Sequence, residues 1–284
     1  MSKEASEKTI PPAQDNAHET PGNVQGPLDP QSEKLKEMPF MAHFIELRAR
    51  LFRIILAILI GTLACFSFAP MLYGFLAAPI FDALPEESRE LVFLNPVEPF
   101  FVYLKISILS GFILTSPYVF FQIWRFIAPG LYAREKRLLV PLVASSTVVF
   151  LVGAIFCYLL ILPLGLKTLI DAGITHEFAA TAQISMASYY DLVVRLIVAF
   201  GIVFEMPIFS WFMTKLEVIS SKCLVKHWRM AVVIIFIVAA ILTPPDVITQ
   251  LALGLPMCLL YGVSILLSRL AAKPPKTDGR MAQP

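Results

Sequence analysis

The sequence predicts an all-α, polytopic membrane protein of six transmembrane helices, bent into a concave scaffold, with both termini cytoplasmic. Three observations predict it. Hydrophobic residues make up 57% of the chain and charged residues 15%, with a mean hydropathy of +0.72, against roughly 45 to 50% and 25% in ordinary globular proteins. The apolar residues fall in runs near the length of about 20 that a bilayer core of about 30 Å requires. Lys and Arg gather in alternate connecting segments.

Residues 1–37 are polar, rich in Glu, Gln and Pro, and contain no arginine and no apolar core region. They read as neither a secretory signal nor an organellar transit peptide, but as a disordered cytoplasmic tail with too little apolar surface to fold. Residues 271–284, including "KPPKTDGRMAQP", read the same way, which leaves 38–270 as the membrane domain.

Within that domain the expected spans are 51–69, 100–123, 138–162, 190–213, 230–242 and 247–267. The breakers "APMLYG", "WRFIAPGLYAREKR", "PLGLKTLIDAG", "KLEVISSK" and "TPPD" separate them. The first outer loop, about 70–99, holds "LYGFLAAPIFDALP", apolar on most faces, followed by the acidic "EESRE". It predicts a helix that either lies at the outer surface or packs on the spans.

Of the 23 Lys and Arg residues, all but Arg89, Lys105, Lys167 and Arg195 lie in the N-terminal region, in the loops after the second and fourth spans, or at the C-terminal end. The positive-inside rule puts those four regions in the cytoplasm, and an even number of crossings agrees. The formal net charge of +2 supplies no footprint for nucleic acid. Cys65, Cys157 and Cys258 fall in apolar runs and Cys223 in a polar loop, and the four histidines are scattered, so neither a disulfide framework nor a metal site is expected.

The fifth span is short. Its thirteen residues rise only about 20 Å, so "LTPPD" and Asp246 are expected at membrane depth, with local thinning or a water-filled recess beside the hairpin. Glu205, in "FGIVFEMPIFSWFM", is the second intramembrane carboxylate. Such a group costs about 2.5 to 3.5 kcal/mol on insertion scales. Pro207 bends the helix beside it, and Pro117, Pro141 and Pro256 predict bends in other spans. Bent helices enclose a concave face, and Glu205 is expected to point into it or to hydrogen-bond a neighbouring helix.

Five dispersed segments, "HFIELRARL", "PFFVYLK", "FIAPGLYAREKR", "FGIVFEMPI" and "LTPPDVITQ", together resemble the signature segments of the TatC family, the large receptor subunit of the twin-arginine protein translocase. The resemblance runs from about residue 40 to 270, in the family's order, and the long N-terminal tail is the main departure from it. It implies a receptor in the bacterial inner membrane that binds signal peptides bearing an Arg-Arg pair on folded cargo. It further implies small single-span partners of TatA and TatB type, self-association in the complex, transport driven by the proton-motive force, and no cofactor.

Under that resemblance Glu46 and Glu135 are the signal-peptide carboxylates, because two always-charged planar guanidinium groups are best met by fixed carboxylates. Arg48 and Arg50 beside Glu46, and Arg134, Lys136 and Arg137 beside Glu135, are expected to hold them ionised. The bland alternative for Glu46 is an i,i+4 pair with Arg50 worth about 0.2 to 0.5 kcal/mol, and for Glu135 a solvated loop charge. Phe100 joins the signal-peptide set, although an aromatic ring is at home at any membrane interface. Glu205, Asp246 and Gln250 are expected as intramembrane polar or partner-contact residues, Glu205 as a water-accessible spot that weakens the bilayer locally or meets a partner span, while Asp246 also suits the N-cap of the sixth span. An ion-coupled secondary transporter using Glu205 and Asp246 is the alternative function. It lacks a pseudo-repeat of three-span halves. An intramembrane protease lacks both HExxH and a Ser/His pairing in the spans.

Overall fold

The computed structural model describes residues 30–84, 90–127, 139–173, 184–243 and 247–271. The chain divides into two units, Met1–Ile45, helical from Pro30, and Glu46–Pro284. The helices are α1 (Pro30–Phe66), α2 (Ala69–Ala83), α3 (Glu98–Ile127), α4 (Leu139–Phe156), α5 (Leu162–Gly173), α6 (Met186–Phe204), α7 (Met206–Lys215), α8 (Ser221–Lys226), α9 (Trp228–Leu242) and α10 (Val247–Ala271). Two-residue strands β1 (Leu91–Val92) and β2 (Ile184–Ser185) pair in parallel.

Five described stretches are long and apolar enough to cross a bilayer: His43–Phe66, Glu98–Ile127, Leu139–Asp171, Met186–Lys215 and Val247–Ala271. The expected fifth of six, Trp228–Leu242, is apolar after Arg229, but its 15 residues rise only about 22 Å.

The spans differ from expectation where prolines fall. "PLGLK" was expected to end the third span, yet α4 runs through one π-helical turn, Cys157–Ile161, into α5. The wider turn shifts the ladder, with Leu162 N–H donating to Cys157 O, and so absorbs Pro163 without ending the helix. Pro207 does interrupt its span. α6 stops at Phe204, Glu205 N–H turns back to Ile202 O at 3.1 Å, and α7 restarts with Pro207 in its first turn, where the missing N–H costs nothing.

The packing of α2 resolves the outer-loop alternatives in favour of docking on the spans: Ala69, Leu76, Ala77, Pro79 and Ile80 are buried. Pro79 cannot donate to the carbonyl of Phe75. The Tyr158 hydroxyl does so instead at 2.6 Å, while Tyr189 and Tyr190 donate to Leu76 O and Tyr73 O.

The core brings together α2, α3, α4, α6 and α10, with Val102, Ile106, Phe150, Val193, Phe200 and Leu253 almost wholly buried. Helix crossings depend on missing side chains. A Cβ on Gly111 would lie 2.4 Å from the Thr62 amide nitrogen of α1, and one on Gly201 would lie 2.4 Å from the Phe150 ring of α4. Small polar groups join α7 to α10: Ser210 Oγ donates to Ser264 O at 3.2 Å, and the Thr214 and Ser268 hydroxyls meet at 2.5 Å. Such bonds between helices hold membrane bundles where no hydrophobic drive between helices exists. A second apolar cluster, Trp124, Leu142 and Phe212, closes the end of the bundle opposite α2.

Candidate functional site

At that closed end, α1 and α3 bring four polar side chains into a chain. Arg50, only 8% exposed, directs Nε and Nη2 to Glu46 Oε1, the first at 3.0 Å. Its Nη1 donates to Gln122 Oε1 at 3.4 Å, and Gln122 Nε2 donates to the Tyr118 hydroxyl at 2.7 Å. Glu46 is the outermost member, its side chain 38% exposed. The i,i+4 pair expected from sequence is therefore present, but it is half-buried and tied to a second helix. A buried guanidinium must have its donors met, and Gln122, 3% exposed, meets one of them. Arg48 is exposed one residue after Leu47. Glu135, expected beside this site, lies outside the described residues, as does Asp246.

Glu205 occupies the break between α6 and α7. Its Oε1 is buried and has no hydrogen-bond partner among the described residues. The Ser146 side chain of α4 faces the carboxyl group, and Ser146 Oγ accepts the Trp124 indole N–H at 2.9 Å. Within the α9–α10 hairpin, Gln250 Nε2 donates to Phe236 O at 3.0 Å. The structure therefore does not bring Glu205 and Gln250 into hydrogen-bond contact. Phe100 is 56% exposed, at the opposite end from Glu46, in edge contact with Phe66 and Phe101.

Sequence reasoning missed three polar residues. Gln122 in "VFFQIWRF" carried the same signal as Glu205, a polar side chain inside an apolar run. Glu98 opens α3, an acid in a first turn. Its Oε2 accepts from Leu94 and Asn95 N–H and its Oε1 from Ala187 N–H and Ser185 Oγ, so one carboxylate ties the starts of α3 and α6 together. Asp191 of α6 pairs with Lys105 of α3 at 2.5 Å, which gives the cation noted inside the second span a partner.

Long apolar helices joined by polar contacts between them define a multi-pass helical membrane protein. A family profile described as Sec-independent protein translocase protein (TatC) matches residues 42–256, and the chain belongs to that family. It is 43% identical over 239 residues to the Aquifex aeolicus Sec-independent protein translocase protein TatC, covering 84% of this chain and 98% of the relative. With the Campylobacter jejuni protein of the same description the identity is 39% over 234 residues, covering 82% and 95%. A crystal structure of the twin-arginine translocase receptor TatC superposes with a TM-score of 0.73 at 44% identity, covering 81% of this chain and 99% of that one. The chain is thus a subunit of the Sec-independent, twin-arginine protein translocase, and the secondary-transporter alternative is left without support.

Proposed function

We propose that this subunit is the receptor that recognises the arginine pair of signal peptides on folded cargo, from the cytoplasmic side of a bacterial inner membrane. Six crossings with both termini inside would put Glu46 on that side, together with Glu135 in the loop after α3. The observation that carries the reading is the Glu46 carboxylate, partly exposed and gripped from behind by a buried arginine. A carboxylate so held offers a fixed plane to a guanidinium fork. Arg48, exposed beside it, and Glu135 would complete the grip, and Phe100 would act at the other end of the second span. Glu205, Asp246 and Gln250 would make polar contacts with single-span partners of TatA and TatB type, with the proton-motive force driving transport. The α9–α10 hairpin, short of a full bilayer, supports local thinning there.

Detergent co-purification of the chain with a tagged Arg-Arg cargo, compared with the same cargo bearing Lys-Lys, tests the proposal. Lysine keeps the charge and loses the planar fork, so the proposal expects recovery of the first and little of the second. Equal recovery of both would remove the guanidinium site.

A further inference from the structure

We infer that Gln122 is a positioning residue for recognition: acting through Arg50, it fixes the plane of the Glu46 carboxylate and thereby sets the preference for paired arginines over paired lysines. The inference rests on the receptor reading above and adds to it the part that makes the site selective.

The chain of bonds runs in one direction. An arginine offers only donors, so the Gln122 amide must turn its oxygen to Arg50 Nη1, which leaves its NH2 for the Tyr118 hydroxyl oxygen at 2.7 Å. Both buried ends of the amide are then satisfied, which a 3%-exposed glutamine in an apolar helix requires. The guanidinium, held from α3, is left with Nε and Nη2 directed at one oxygen of Glu46. Glu46 and Arg50 share one helix and could swing together; Gln122 stands on another. Through it the half-exposed carboxylate is referenced to two helices rather than one.

Selectivity follows from geometry. Two parallel N–H···O bonds from a guanidinium need the carboxylate in a set plane, whereas an ammonium, a point charge with rotatable donors, is indifferent to that plane. Loosening the anchor therefore weakens arginine binding more than lysine binding.

The test is equilibrium binding of fluorescent signal peptides, one Arg-Arg and one Lys-Lys, to the full chain in lipid nanodiscs. Gln122→Leu keeps the volume and removes the acceptor; it is expected to weaken Arg-Arg binding about five- to tenfold, the scale of one ordinary net hydrogen bond, with Lys-Lys binding nearly unchanged. Gln122→Glu keeps an oxygen facing Arg50 and is expected to restore the preference. Four results would overturn the inference. Gln122→Leu binding Arg-Arg like the parent, while Glu46→Gln weakens it, leaves Gln122 a structural residue only. Equal loss of both peptides with a lowered Tm says the same. Tighter Arg-Arg binding by Arg50→Gln makes Arg50 a competitor rather than a support. A Glu46→Gln variant that binds normally sinks the receptor reading and this inference with it.

Discussion

Single residues carry the chemistry of this chain, and their partners decide what each one does. Glu98 and Glu205 are both glutamates within two residues of a proline, yet one accepts from four donors and the other leaves an oxygen without any. Replacing Glu98 with Ala is expected to speed hydrogen exchange at the Leu94, Asn95 and Ala187 amides, which lose their acceptor together; unchanged protection there would show that the carboxylate is not the tie. Glu205→Leu removes a buried oxygen that lacks a donor together with the carboxyl's bond to Ser146, so the Tm of the purified protein is expected to move by no more than about 1 kcal/mol's worth, while export falls if the carboxyl serves a partner helix. A large drop in Tm with export unchanged would mean that the carboxyl serves the fold alone. Sequence alone flagged Glu205 because charge stands out in an apolar run, and Glu46 only through the family resemblance. It passed over Gln122, Ser146 and Glu98, whose significance comes from donors on other helices that no local window contains.

At the scale of helices, two rules of chain geometry account for where the elements follow the sequence and where they depart from it. Long apolar runs made the main spans legible, and Pro207 marked a true break because the chain before it tightens into an i→i−3 turn, Glu205 N–H to Ile202 O, and the helix restarts with the proline in its first turn. Pro163 did not, because the π turn before it widens the ladder; nothing in "CYLLILPLG" distinguishes that outcome from a helix end. The two-residue pairing of β1 with β2 was invisible for a related reason, since strands that short have no periodicity. Crossing points depend on glycine. Gly111→Val drives a side chain into the α1 backbone and is expected to cost about 1 to 3 kcal/mol or more, whereas Gly262→Ala, where nothing lies within 4 Å of an added Cβ, is expected to stabilise α10 by about 0.5 to 1 kcal/mol. Thermal melts of the two variants moving in the same direction would contradict these crossings.

Over the whole molecule, family membership and the long apolar helices agree on a multi-pass subunit of a protein translocase. The family resemblance was readable from five segments because they recur in one order, whereas sidedness rested on charge placement alone. The receptor proposal requires that the Glu46 end face the compartment from which an arginine-bearing peptide arrives. Its most direct test places a cysteine at Leu47, an exposed neighbour of Glu46, in a chain whose native cysteines are serine, and labels it with a membrane-impermeant maleimide. The account predicts labelling in inside-out vesicles but not in intact spheroplasts, with protection by an Arg-Arg peptide and not by its Lys-Lys counterpart. Labelling from the outer side, or equal protection by both peptides, would contradict it.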